Sequence, residues 1–229
     1  MCGVASRRAS ETLIREGRVT VNGERATIGR EIDPESDDVA VNGEPVRREK
    51  PVYILLNKPK GVICTNSDPR GRKKAVDMIE TPQRIFCVGR LDMATSGLII
   101  LTNDSKLSNR LTHPRYELPK TYEVTVKGTV DPKQIEKLKK GVWLSEGRTE
   151  RAAVKILKKG RNQTVLEITI RQGLNRQVRR TLARTGIKVK SLKRTRIGSI
   201  NIKGLGIGKY RPLKKAELDY LRKATAGKH

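Results

Sequence analysis

The chain has 229 residues, with 50 Lys and Arg against 24 Asp and Glu and a formal net charge of +26. That length supports one large domain, or a large and a small one, with a core that needs no covalent staples. Three widely spaced cysteines and two histidines argue against both a disulfide framework and a His/Cys zinc site.

In chain order, residues 5–17 (ASRRASETLIREG) predict a helix with Ala9, Leu13 and Ile14 on one face and Gly17 as its stop. Residues 18–27 alternate around Asn22-Gly23, and 38–46 around Asn42-Gly43, the strongest short signal for two hairpins. RREKP (47–51) is charged, closes on a proline and reads as a linker. Beyond it, strands are expected at 53–62, 84–90, 98–102, 120–128, 164–173, 187–192 and 196–202. Helices are expected at 104–112, 131–141, 175–186 and 214–224. Asp131, Pro132 and Gly141 supply the cap, first residue and stop of the second of these. Strands with interspersed helices and few β-α-β alternations predict an α+β fold with a mixed, largely antiparallel sheet.

The charge is uneven. Residues 1–50 hold 9 basic and 10 acidic side chains, residues 51–229 hold 41 and 14, and 171–215 hold 15 bases and no acid. Such a field attracts polyanions, nucleic acid before an anionic membrane surface. No apolar run approaches a membrane span and no signal-peptide core stands at the N-terminus, which predicts a cytoplasmic protein.

Several chemistries lack their residues in 51–229. No D-x-D or E-x-x-E pair suits a two-metal site. No phosphate loop or G-x-S-x-G is present, and the glycines at 204–208 lead into no helix. What remains is a carboxylate, a tyrosine and many arginines. Asp92, in GRLDMATSGLIILTND (89–104), reads either as a turn residue or as a reactive carboxylate kept ionised by an arginine, with Arg90, Arg176, Arg179 and Arg180 as candidates. Tyr122, in KTYEV, reads as an ordinary strand tyrosine or as a stacking face for a base. Arg176, Arg179 and Arg180 have the i, i+3, i+4 spacing of neighbours on one helix.

These blocks, with NKPKGVICTNSDP (57–69) and QGLNRQVRR (172–180), resemble the RsuA/RluB group of ribosomal-RNA pseudouridine synthases. GVASRRASETLIREGRVTVNGERAT (3–27) resembles the S4 RNA-binding domain that precedes the catalytic domain in that group. The resemblance implies a small S4-like α/β module at 1–46, the linker at 47–51, and a catalytic domain at 52–229 whose sheet is flanked by helices. Family S4 domains usually begin with a further helical turn or two, so either a shortened module or a true start upstream of Met1 is expected here. Asp92 matches the catalytic aspartate, as nucleophile or as base. Tyr122 matches the tyrosine that stacks on the target base. Arg179 matches the arginine that pairs with the aspartate, with Arg180 as its substitute. Arg90 matches the arginine that fills the gap left by a flipped base. Lys120, Asn175, Arg176 and Arg180 are implied RNA contacts, as are Arg7, Arg8, Arg15 and Arg18 of the S4-like module. The implied partner is ribosomal RNA, 23S favoured over 16S, or an assembling ribosomal particle. No metal, cofactor or membrane is implied, and the enzyme is expected to act as a monomer. The rival reading is a non-catalytic RNA-binding or ribosome-assembly protein with the same fold.

Overall fold

Two Asn-Gly pairs shape the N-terminal sheet. Asn22 and Gly23, like Asn42 and Gly43, all have positive φ between 53° and 83°, the backbone a type I′ hairpin demands. The structure is a computed structural model that describes residues 2–226. Among these, residues 2–51 with 82–84 form one compact unit, and 52–81 with 85–226 another.

In the first unit, α1 (Arg7–Arg15) starts at Ser6, whose side chain accepts from the Ala9 N–H. Strands β1 (Val19–Val21), β2 (Glu24–Arg25), β3 (Val39–Val41) and β4 (Glu44–Pro45) lie in the order β2-β1-β3-β4. The core is small: Val19, Val21 and Ala26, with Leu13 and Ile14 of the helix packed on it.

The second unit contains β5 (Tyr53–Lys58), β6 (Phe86–Cys87), β7 (Ser96–Thr102), α2 (Ser105–Thr112), β8 (Lys120–Lys127), α3 (Pro132–Lys140), β9 (Trp143–Leu144), β10 (Gly147–Arg148), β11 (Ala153–Lys159), β12 (Gln163–Ile170), α4 (Gln177–Arg184), β13 (Val189–Ile197), β14 (Ile200–Asn201), β15 (Tyr210–Pro212) and α5 (Lys215–Ala224). Its main sheet runs β11-β12-β8-β13-β7-β5-β15, with β14 paired to β13 and β6 to β7. Pairing is antiparallel except between β13 and β7, which run parallel. The sheet is thus mixed and largely antiparallel.

Both faces of this sheet are covered, which explains the unbroken apolar run of β7. Leu98 and Ile100 pack with Leu55, with Leu107 and Leu111 of α2 and with Leu221 of α5. Ile99 and Leu101 join the opposite layer, with Tyr122, Val124 and Val126 of β8, Ile135 and Leu138 of α3, and Val178 and Leu182 of α4. Each such aliphatic side chain contributes roughly 1.5–3 kcal/mol on burial. The outer strand β11 carries Lys155, Lys158 and Lys159, all exposed, and a register shift between Ile156 and Lys158. Charge and bulge together protect a free edge.

Several elements differ from the sequence expectation. The strands expected at 187–192 and 196–202 are instead one strand, β13, which turns at Gly198 (φ 56°) into β14. The Lys-Arg-Thr-Arg stretch looks like an interruption, but its side chains alternate within the pleat. The strand expected at 84–90 shrinks to Phe86–Cys87, and β9, β10, β11 and β15 were not anticipated. The helix expected at 175–186 begins only at Gln177, because Arg176 adopts left-handed backbone (φ 48°, ψ 28°) at its N-cap.

Candidate active site

The centre of the site is a junction between two strands. β13 and β7 pair at only two positions, Lys193 with Ser96 and Arg194 with Gly97. Gly97 is required there: its φ is 109°, and a Cβ would lie 2.2 Å from the Arg194 carbonyl oxygen. Arg194 is buried and donates its Nε–H to the Leu98 carbonyl oxygen at 2.7 Å. Beside this junction lies a cavity of about 180 Å³, smaller than a typical drug-sized pocket of ~300–1,000 Å³.

One wall is the loop from Val88 to Thr95. It is held by bonds to neighbours far along the chain. Leu91 is buried, and its N–H points to Cys64 Sγ at 3.5 Å. The Met93 carbonyl accepts from the Gly61 N–H at 2.8 Å, and the Asp92 carbonyl accepts from the Thr95 N–H at 2.9 Å. Thr95 is buried and its hydroxyl oxygen has no partner. Under this loop Lys58 is wholly buried, its ammonium donating to the Pro59 and Val62 carbonyls at 2.9 and 2.7 Å. Burial lowers its pKa, while nearby Cys64, Cys87 and Asp92 oppose the shift. The Cys64 thiol is brought down to about 6, first by a hydrogen bond from Cys87, against its own burial. Cys87 moves the other way, raised first by that same bond.

Asp92 is the one acid among the residues that line the cavity. Its side chain is about a quarter exposed, and Oδ2 meets Arg176 Nη1 at 3.3 Å. The opposite wall comes from β8, with Lys120 and the buried Tyr122, and from Arg194 of β13. Burial, aided by the Arg194 charge, brings Lys120 down to about 8.

The arginine assignments need correction. Arg179 was expected to pair with Asp92, but its Nη2 donates to the Ala94 carbonyl at 3.1 Å and its buried Nε has no partner. Arg176 makes the pair instead. The reason is local: Arg176 lies before the helix rather than on it, so the three arginines do not share a helical face. Burial first, then the Arg176 charge, lowers the Arg179 pKa, with Asp92 acting against both. Arg180, the expected substitute, forms a fork on Glu146 instead, Nη1 to Oε1 at 2.6 Å and Nη2 to Oε2 at 2.5 Å.

Arg90 is exposed and lines the cavity, as does Arg176. Asn175 is exposed and outside the lining; its carbonyl accepts from Arg180. In the first unit, Arg7, Arg8, Arg15 and Arg18 are exposed; Arg7 pairs with Glu11, and Arg18 bonds Asn42 and Glu16. Sequence reasoning missed Arg194 and Thr95. Arg194 is one base among fifteen in an acid-free stretch, and only its register opposite Tyr122 singles it out.

Comparison with known proteins adds the following. The family described as RNA pseudouridylate synthase matches residues 52–184, and the S4 domain matches residues 3–39. The chain is 46% identical over 224 residues to the ribosomal large subunit pseudouridine synthase B of Bacillus subtilis, covering 96% of this chain and 91% of that protein. It is 45% identical to an uncharacterized RNA pseudouridine synthase of Aquifex aeolicus, covering 99% and 92%. A solved pseudouridylate synthase superposes with a TM-score of 0.72 at 31% identity, covering 96% of this chain and 95% of that one.

Proposed function

The chain belongs to the RNA pseudouridylate synthase family, with an S4 domain at its N-terminus, and from that premise we propose that Asp92 and Tyr122 isomerise a uridine of large-subunit (23S) ribosomal RNA in the cavity beside the β7–β13 junction. A pseudouridine synthase is an isomerase. The C1′–N1 bond breaks, a C1′–C5 bond forms, C5 loses a proton and N1 gains one, so no atom and no electron is added or lost.

The observation that carries the reading is the pairing of one carboxylate and one buried aromatic ring across one cavity. A base reaches such a cavity only after it leaves its stack. Asp92 is the reacting carboxylate at the ribose, as nucleophile at C1′ or as base on the sugar. Arg176 Nη1 lies 3.3 Å from its Oδ2 and sets a positive charge beside the carboxylate. Tyr122 offers its ring to the uracil during the turn and its hydroxyl to the C5 proton. Arg179 acts as a positioning residue through the Ala94 carbonyl. Arg90 stands at the cavity where the place of the extruded base is left empty.

The large-subunit target is supported by the name and 46% identity of the Bacillus subtilis relative. Among the described residues no helix is long and apolar enough to cross a membrane, and we place the enzyme in the cytoplasm, acting as a monomer on ribosomal RNA or an assembling particle. The test is isomerisation of unmodified ribosomal RNA transcripts. Wild type is expected to form pseudouridine in 23S and not 16S transcripts, and Asp92→Asn to lose on the order of 10²–10⁴-fold in rate. An Asp92→Asn enzyme as fast as wild type would sink the site assignment. Product in 16S alone would sink the target.

A further inference from the structure

We propose that Trp143 is a stacking platform for a second nucleobase of the substrate RNA, one that flanks the uridine entering the cavity; this rests on the reading that RNA is the substrate. Trp143 is the only tryptophan of the chain and is 70% exposed. It is held outward by strand alternation: its neighbour Leu144 turns inward and is buried.

A two-stranded ribbon of two residues per strand is not stable alone. This one is fixed by three ties. Val142 and Thr149 bond each other at its base, N–H to carbonyl at 2.9 Å and N–H to hydroxyl at 3.0 Å. At its tip Arg180 grips both carboxylate oxygens of Glu146 and the Ser145 hydroxyl. Past its second strand, the Glu150 N–H and the Gln177 side-chain amide both donate to Gln172 Oε1, at 3.0 and 3.2 Å. Two of these ties end on α4. Within and just before its first turn, that helix also carries Arg176 and Arg179, which hold Asp92 and its loop. One short helix therefore fixes Trp143 and Asp92 relative to each other.

The charge around the ring suits a nucleic acid. Arg148 lies opposite Trp143 in the register, and Glu146 is neutralised by Arg180. An indole face beside a guanidinium, here that of Arg148, which also donates to the Lys140 carbonyl at 3.4 Å, is the pairing that binds single-stranded RNA through base and phosphate together. A tryptophan carried on a ribbon fastened at three points brings an already fixed backbone to the base that stacks on it.

Because Trp143 is the only tryptophan, its emission reports on the platform directly. Titrating the full chain with a large-subunit ribosomal RNA transcript should quench that emission, whereas heparin, a polyanion without bases, should bind and leave it nearly unchanged. Trp143→Ala should raise KM about tenfold with kcat nearly constant, and Trp143→Phe should restore most of the loss. Emission unmoved by saturating RNA, equal quenching by heparin, or a KM in Trp143→Ala equal to that of wild type would each overturn the platform. The emission reading needs binding alone, so it decides the platform even if no transcript yields pseudouridine, a result that would count against the proposed function instead.

Discussion

Arg7 and Arg18 around α1, and Arg176, Arg179 and Arg180 around α4, are arginine clusters of similar density with opposite habits. At α1 the partners are mostly near in sequence: Glu11 four residues from Arg7, and Glu16 two residues from Arg18. These pairs are exposed, and such pairs contribute little, ~0–1 kcal/mol each. At α4 the partners are mostly remote: Asp92 for Arg176, Ala94 for Arg179, and Glu146 for Arg180, which also reaches the nearby Asn175 carbonyl. The first pattern dresses a helix. The second fastens three parts of the chain together at the one carboxylate of the cavity. Arginine density alone therefore says little about function; the sequence distance to the partner says more.

The largest expected effect would break this contrast if it failed. Arg179→Ala should lower kcat roughly 100-fold with little change in KM, because loosening the Ala94 carbonyl displaces Asp92. Arg176→Ala, which removes a single long contact from an exposed guanidinium, should cost under about tenfold. A larger loss in Arg176→Ala would reverse the order and make the ion pair, not the loop anchor, the governing feature.

A smaller effect sharpens the same picture at Lys120, a base in the cavity with no acid beside it. Its folded pKa of about 8 lies below the ordinary lysine value. Between about 8 and 10.5 the unfolded chain holds a proton that the folded chain has released. Stability from this group should therefore rise with pH across that window. The urea midpoint of wild type should gain on Lys120→Met between pH 7.5 and pH 9.5; parallel curves would refute the shift. The smallest effect belongs to α1. If Arg7 meets a phosphate as an isolated contact, Arg7→Ala should reduce the salt dependence of RNA binding by about one unit of slope and leave kcat unchanged. A change in kcat would show that α1 does more than supply charge.

What could be read from the sequence follows the same division between near and remote. The Asn-Gly hairpins and the Asp131 cap with Pro132 after it are local arrangements, each set within four residues. Asp92 and Tyr122 stood out because acids and aromatics are scarce. The contact of Asp92 with Arg176 escaped the sequence because it depends on one left-handed residue, Arg176, which moves the start of α4 from 175 to 177, a shift that no periodicity marks. Strand β11 escaped notice because an edge strand needs only one packed face, and its lysines hide the alternation. The bond between Arg180 and Glu146 spans 34 residues, and no pattern in either segment announces it.

The two-position junction of β13 with β7 has a further consequence, for the entering base. The strands are kept close by the contact at Gly97 and by the Arg194 bond to Leu98, and the space beside them is only about 180 Å³. Backbone contact and a buried guanidinium give this side of the space a fixed wall, so an entering base must fit the wall as it stands and cannot reshape it.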